Sequence, residues 1–403
     1  MSVKRGNDFL SVPGPTNIPY QILNAMNRPA IDFSGPEFIA TSKACLSDVR
    51  RLFRTESMVF VYSANGHGAW EAALSNTLSP GDKALVPQTG NFSASWQDMA
   101  EALGIIIEIT ENDWRHAIDP ELVRERLAAD TNHEIKAVLM VHTDTATSVT
   151  SDIPAMRAAM DAAKHPALLV VDTIASLGTV EFRMDDWGVD VAIAASQKGL
   201  MMPPGLGLVA ASPKALKASE NTTMPRRYWD WISRMDTQHY RAFCGTAPEH
   251  MIFGLCESIR MLDEETMEGA FARHARLAEA VRRAVGVWAE GSDGAIELNA
   301  LVPAERANSV TTIRFGEGID GIRFRETVRE RFQVSLGGGL GMMFGKAFRI
   351  GHMGNLNEPM VLATLSAAEA SLGICGIPHG RGGILAAMDW FAETSGGPVE
   401  VQR

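Results

Sequence analysis

Between residues 58 and 210 the chain repeats one pattern, a short and mostly apolar run followed by a segment with helical spacing. The runs are Met58-Val-Phe-Val-Tyr62, Lys83-Ala-Leu-Val86, Ile105-Ile-Ile-Glu-Ile109, Ala137-Val-Leu-Met-Val141, Leu168-Leu-Val-Val171, Val191-Ala-Ile-Ala194 and Gly207-Leu-Val-Ala210. Strands buried on only one face alternate apolar with polar residues. Continuous apolar runs of strand length belong instead to strands covered on both faces, the usual condition of a parallel sheet. The segments 70–78, 95–103, 120–129 and 153–163 supply helical crossovers between them. The pattern predicts an α/β domain with a mostly parallel sheet.

Outside that region the pattern changes. A Pro- and Gly-rich opening, Pro13-Gly-Pro-Thr-Asn-Ile-Pro19, reads as an ordered arm or turn, and helical spacing follows over 37–53. After about residue 265 come a long charged helix (267–288), a strand (309–314) and helices near 321–332 and 358–371, which describe a smaller α+β domain. The expected organisation is an arm over 1–20, a large α/β domain over 21–265, a small domain over 266–380 and a surface tail with one short helix over 381–403.

Composition narrows the function. With 37 Lys+Arg against 48 Asp+Glu the net charge is -11, and no basic stripe interrupts it, so a nucleic-acid partner is not expected. Apolar runs stop well short of the roughly 18 residues a membrane span needs, and the first ten residues lack the apolar core of an export signal. The four cysteines stand far apart, without metal-site pairs or disulfide density, which suits a reducing compartment. A cytoplasmic location is the expectation.

The chain carries nine lysines, and one is oddly placed. Lys198 follows the run Val191-Ala-Ile-Ala194 in Ser196-Gln-Lys-Gly199, at the carboxyl end of a buried strand. Partial desolvation there lowers an amine's pKa and readies it for a Schiff base, although position alone also suits a lysine whose charged head reaches solvent. Asp172 closes Leu168-Leu-Val-Val-Asp172 at the same edge, where open α/β sheets gather ligands. A carboxylate there can hold a pyridinium nitrogen protonated, or simply cap the next segment. Upstream, Ser63-Ala-Asn-Gly-His-Gly68 runs from a strand into a helix, where free N–H groups and the helix dipole can cradle a phosphate.

In this order these segments resemble the class V aminotransferases of the fold-type I pyridoxal phosphate enzymes, especially the serine–glyoxylate and alanine–glyoxylate group. The resemblance covers Val12 to Gly354 and includes Pro13–Pro19, Trp70-Glu-Ala-Ala-Leu-Ser-Asn-Thr-Leu78, Asp172-Thr-Ile-Ala-Ser-Leu-Gly178, Ser196–Gly199, Pro203-Pro-Gly205 and Phe348-Arg-Ile-Gly-His-Met-Gly354. It implies pyridoxal 5'-phosphate as cofactor, Lys198 as the Schiff-base lysine and Asp172 as the partner of the ring nitrogen. It further implies Asn65, Gly66, His67 and Gln197 near the phosphate, Phe92 stacked on the ring, and Thr145 near the phenolic oxygen. Arg349 would grip the substrate carboxylate, as a guanidinium fork can. Thr246 would reach the phosphate in a neighbouring subunit, which implies a homodimer with shared active sites. The implied reaction moves an amino group from a small L-amino acid, serine or alanine-like, to glyoxylate or pyruvate in a ping-pong cycle. His352 and Glu71 read as structural.

Some positions depart from the family. Asp32-Phe33-Ser34 stands where many relatives carry His-Arg before the Ser, which disfavours a dicarboxylate donor such as aspartate, while Asp144 and Ser148 replace a usual Glu and Gly. The form His-x-Asp-Thr at 142–145 resembles a pyridoxamine–pyruvate aminotransferase, which would not need the phosphate loop. A lyase of the desulfurase kind needs a cysteine in the loop 335–345, and none is there; Cys244 is the remaining thiol of interest. A nucleotide-binding dehydrogenase would need a G-x-G-x-x-G turn followed by a ribose-binding acid, and a non-catalytic binding protein would leave Lys198, Asp172 and Arg349 without a common purpose.

Overall fold

A computed structural model describes residues 6–236 and 238–395. The expected arm contributes a strand, β1 (Phe9–Ser11), before its Pro-rich turn. Seven strands then build the large sheet: β2 (Met58–Ala64), β3 (Lys83–Pro87), β4 (Ile106–Thr110), β5 (Ile135–Val141), and, after the small hairpin β6 (Thr143–Asp144) and β7 (Val149–Thr150), β8 (Leu168–Asp172), β9 (Val191–Ala195) and β10 (Gly205–Ala211). Their spatial order is β2-β10-β9-β8-β5-β3-β4. Only β10 runs against its neighbours β2 and β9, so the sheet is mostly parallel, as the apolar runs predict.

The two faces of this sheet are read directly from alternate residues. Val59, Val61, Val138, Met140, Leu169, Val171, Ala192 and Ala194 enter one core, while Phe60, Tyr62, Leu139, Val141, Val170, Ile193 and Val209 enter the other. Successive side chains of a strand point to opposite faces, and each face has its own helices. Helices Pro36–Phe53, Pro120–Ala129, Ile153–Ala162 and Glu249–Glu265 cover the first. Helices Gly66–Thr77 and Asn91–Ala102 cover the second with Trp70 and Trp96. At about 25 cal/mol per Å² of apolar surface, this double burial supplies most of the drive for the strands to assemble.

The second sheet has the order β1-β13-β14-β12-β11, with β11 (Ile296–Leu298), β12 (Val310–Phe315), β13 (Val334–Gly338) and β14 (Ala347–Gly351). β1 pairs parallel to β13, so the amino-terminal arm is woven into the carboxyl-terminal sheet. Helices Met267–Glu290, Gly321–Phe332 and Glu358–Ile374 pack on it. The helix expected near the chain's end is Gly383–Thr394, and it sends Ala387 and Phe391 into the same core. Among the described residues no helix is long and apolar enough to cross a membrane, no acidic, His or Cys cluster could hold a metal, and all four cysteines are free.

Candidate active site

Because β10 opposes both its neighbours, β2 ends on the same edge as β3, β5, β8 and β9. Each of these five carboxyl ends hands over to a candidate residue: Asn65 after β2, Phe92 after β3, Thr143 and Thr145 after β5, Asp172 at the end of β8, and Lys198 after β9. The chain thus collects its chemistry at the edge where open α/β sheets bind ligands. A cavity of about 300 Å³ lies there, lined by Asn65, Gly66, His67, Phe92, Thr145, Asp172, Gln197 and Lys198, together with Gly14, Pro15, Trp70, Thr143, Ile174, Ala175 and Pro204.

Gly-His-Gly is a poor helix opening by propensity, yet the helix begins at Gly66, four residues before the expected start at Trp70. Asn65 explains it: its side chain accepts the N–H of Gly68 at 3.3 Å and caps the first turn. A helix's first N–H groups have no partner within the helix, so Gly66 and His67 turn such donors toward the cavity wall. A Cβ on Gly66 would overlap the Ile174 side chain. The His67 ring lies 4.6 Å from that of Trp70, and burial holds its imidazolium below the ordinary range.

The arm has a task that its sequence alone does not state. Lys198 Nζ donates to the carbonyl of Pro13, and Thr16 returns two bonds, from its N–H to Gln197 O and from its hydroxyl to Lys198 O, each at 3.2 Å. Gly14 sits at φ 106°, in the region that favours glycine, and a Cβ there would come within 2.6 Å of Lys198 Nζ. Burial lowers the Lys198 amine to about 8; the positive charge of Arg349 pushes the same way, while Asp172 and Asp144 oppose it. Burial raises the Asp172 carboxyl to about 7 against donors from Ile174 N (2.7 Å) and Trp70 Nε1 (3.0 Å). A softened amine and a carboxyl poised near neutrality mark a functional pair.

Arg349 stands outside the lining and touches it. Borne by β14, it donates from Nε to Gly338 O at 2.7 Å and from Nη1 to Thr145 O at 2.9 Å. These two bonds fix the guanidinium plane, and among the described residues no acceptor holds Nη2, leaving donors for a carboxylate. Gly337, its cross-strand neighbour, makes room: a Cβ there would lie 2.8 Å from Pro13 Cδ.

Asp144 and Trp70 were given no role by their motifs, and the structure gives each one. Asp144, fully buried, accepts from Phe92 N (2.9 Å), Ser93 N (3.3 Å) and Ala146 N (2.9 Å). It thereby caps the helix Asn91–Ala102 from the hairpin β6–β7 and fixes Phe92 against the cavity. Burial raises its pKa, and Arg349 acts in the opposite sense. Trp70 links Asp172 to the aromatic stack. Thr246, by contrast, is exposed in the loop before the helix Glu249–Glu265 and does not line the cavity of its own chain. His352 is structural: it is fully buried between Thr311 Oγ1 and Asn308 O, each at 2.9 Å. Glu71 accepts the indole N–H of Trp229 at 3.1 Å, a packing role.

The residues fit pyridoxal phosphate. The helix opening offers N–H donors of the kind that bind phosphate, Phe92 supplies a wall for a flat ring, Asp172 an acid for a ring nitrogen, and Lys198 an amine for an aldehyde. The Gln197 amide oxygen is buried without a donor among the described residues, a cost that a bound ligand can relieve.

Known proteins agree. The family model "Aminotransferase class-V" matches residues 13–342. The serine–glyoxylate aminotransferase of Methylorubrum extorquens is 42% identical, over 96% of this chain and 97% of the relative. The L-aspartate–glyoxylate aminotransferase of Paracoccus denitrificans is 41% identical, over 95% and 96%. Among solved structures, ureidoglycine–glyoxylate aminotransferase from Bacillus subtilis superposes with a TM-score of 0.88 at 25% identity, covering 97% of this chain and all of that one. The chain belongs to the class-V aminotransferases, with the fold-type I architecture and pyridoxal phosphate as cofactor.

Proposed function

We propose that this aminotransferase carries an amino group from a small L-amino acid, serine or alanine-like, to glyoxylate or pyruvate. The observation that carries the reading is the convergence of Lys198, Asp172 and the Arg349-bearing strand on one cavity. Pyridoxal phosphate, when bound, supplies an electron sink for the bond to the substrate's Cα hydrogen.

The chain's residues do the rest. Arg349 holds the substrate carboxylate through its free donors, so that the Cα hydrogen faces Lys198. Lys198 Nζ would take that proton and hold it for return, a role suited to a pKa of about 8. Asp172 in its ionised form keeps a ring nitrogen protonated. Asn65, Gly66, His67 and Gln197 hold the phosphate, Phe92 the ring face, and Thr145 the phenolic side. The oxo acid then uses the same arginine in the return half of the cycle.

Relatives named for serine and for aspartate match this chain almost equally, so the donor is argued from charge. A dicarboxylate needs a second cation. In the loop 32–34 the only charge is Asp32, whose carboxylate is occupied by the N–H (2.9 Å) and hydroxyl (2.6 Å) of Ser34, so this loop offers no cation for a second carboxylate. A small donor is favoured. The pyridoxamine–pyruvate alternative leaves the capped turn at Asn65 without a purpose. A desulfurase-type lyase lacks its cysteine, since Cys244 is exposed and outside the cavity lining.

Of the expected arm over 1–20 and surface tail over 381–403, β1 and the helix Gly383–Thr394 instead pack with the small unit, and residues 1–5 and 396–403 lie outside the described residues. The division into a cofactor-binding unit over 21–265 and a small unit over 266–380 that brings Arg349 belongs to this proposal. So does a cytoplasmic homodimer in which Thr246 of each subunit completes the other's phosphate site. Exposed Tyr228, Ile232, Met235 and Tyr240 lie in the same segment as Thr246 and support a protein contact there.

The test is the visible spectrum of the purified protein with L-serine, L-alanine or L-aspartate, with Lys198→Ala as control. A cofactor band that shifts with serine or alanine and returns with glyoxylate or pyruvate supports the reading. No cofactor band after incubation with pyridoxal phosphate refutes it.

A further inference from the structure

Trp70 is 1% exposed and is the fifth residue of the helix Gly66–Thr77. Its indole N–H donates to Asp172 Oδ2 at 3.0 Å, while Ile174 N–H donates to Oδ1 at 2.7 Å. An ionised carboxylate offers about four acceptor sites, so these donors pin one on each oxygen and leave one on each for a ligand. The same indole stacks on Trp96, with centroids 5.6 Å and planes 18° apart. It contacts the His67 ring at 4.6 Å and meets Phe92 edge-on at 6.4 Å. One side chain therefore touches the phosphate turn, the ring wall and the ring-nitrogen carboxylate.

We propose that Trp70 is a positioning residue for the cofactor, its indole N–H fixing the Asp172 carboxylate while its ring sets the places of His67 and Phe92. The inference rests on the proposed role of Asp172. Rotation about an aspartate's Cβ–Cγ bond has a broad, roughly two-fold profile, so a single donor from Ile174 would leave the carboxylate free to turn. The second donor locks it. A donor also favours the ionised form, opposing the burial that raises Asp172 to about 7. The charged groups acting on Asp172 are Asp144, which raises it, and Lys198, which lowers it; Arg349 acts on Lys198, and His67 lies against the indole.

The experiment measures pyridoxal phosphate affinity by absorbance titration of the cofactor-free protein and of Trp70→Phe, Trp70→His and Trp96→Phe. Trp96 belongs to the same stack, but its indole N–H has no partner among the described residues, so its loss reports packing alone. Trp70→Phe is expected to bind roughly tenfold more weakly or worse, the worth of a charge-assisted hydrogen bond. Trp70→His, which keeps a ring donor, is expected to recover part of the loss, and Trp96→Phe to match the unaltered protein. In Trp70→Phe the acid limb of the half-reaction with serine should also move to higher pH. Equal losses in Trp70→Phe and Trp96→Phe, or an unweakened Trp70→Phe, would overturn the proposal while leaving the cofactor reading intact. Failure of the unaltered protein to bind at all would overturn both. Should Trp70→Phe not fold, the Trp70 indole N–H resonance of ¹⁵N-tryptophan-labelled protein decides. It should lie downfield in the unaltered protein and shift in Asp172→Asn, where the charged acceptor is lost, and a resonance unmoved by that substitution overturns the inference.

Discussion

Lys198 gives the sharpest quantitative test, because its chemistry needs the neutral amine. With a pKa of about 8 in place of the ordinary 10.5, the neutral fraction at pH 7 is about 10% rather than about 0.03%, a gain on the order of 300-fold. The rate at which the cofactor-free protein captures pyridoxal phosphate should therefore rise tenfold per pH unit below about 8 and level off above it. Dividing by the rate for a free lysine derivative at each pH cancels the cofactor's own titrations. Arg349→Gln then probes the cause. Burial comes first and persists in the variant, but removing a positive neighbour should raise the amine's pKa by roughly half to one unit, slowing capture at pH 7 about three- to tenfold while leaving the plateau unchanged. Stopped-flow absorbance from pH 6 to 10 reads both. A midpoint near 10 in the unaltered protein, or an unmoved midpoint in Arg349→Gln, would refute this account of the site. The linkage has a consequence for folding too: an amine depressed in the fold binds fewer protons than in the unfolded chain, so the cofactor-free protein should gain stability as pH rises from about 8 toward 10.5.

Asp172 works in the opposite sense. Its carboxyl is raised from 3.8 to about 7, so its contribution to stability is full below 3.8 and lost as pH rises through 7; at pH 8 Asp172→Asn should melt at least as high as the unaltered cofactor-free protein, lose activity by orders of magnitude, and lack the gain on acidification to pH 6. Gly90→Ala would place a Cβ 2.5 Å from Asp144 Cγ. It should cost about 1–3 kcal/mol in urea denaturation and weaken cofactor binding by displacing the Phe92 helix cap. Thr246→Ala should lower cofactor affinity severalfold in a dimer without altering the fold, and sedimentation with an absorbance titration checks both.

What the sequence showed and what it hid divide along a physical line. Six strands of the large sheet were legible because burial on both faces leaves uninterrupted apolar runs, a local signal; the seventh, β4, carries the same apolar run at the sheet edge with Ile106 and Ile109 exposed, so double burial does not explain it. Lys198 and Asp172 were legible because each ends such a run. The helix openings at Pro120, Ile153, Met267, Gly321 and Glu358 were legible too, but two at the cavity were not. The helix expected from Trp70 starts at Gly66, and the one expected from Ser95 starts at Asn91, each four residues early. At Gly66 the cap is a near neighbour, Asn65, outweighing two glycines. At Asn91 it is Asp144, separated from Phe92 by 52 residues, and no local pattern can announce a cap that arrives from another strand. The arm shows the same limit: Pro13-Gly-Pro predicts a turn, yet its meaning lies in Gly14 fitting over Lys198 and β1 joining the small sheet.

The residues hidden from sequence reasoning are also those that connect one part of the site to another. Asp144 joins the Phe92 helix to the hairpin whose Thr145 carbonyl receives Arg349. Ser148 in that hairpin accepts from Thr312 N at 3.1 Å on β12, and Asn299 donates to Thr147 O at 2.9 Å, so the small sheet is fastened to the loop that shapes the cavity. Three N–H groups depend on one carboxylate, those of Ser93 and Ala146 buried and that of Phe92 partly so, and an unsatisfied buried donor costs roughly 1–3 kcal/mol. Asp144→Ala should therefore loosen Phe92 and Arg349 together, raising KM for amino acid and oxo acid alike while weakening the cofactor. If only the cofactor affinity changed, the hairpin would be a local cap and the two halves of the site would be held independently.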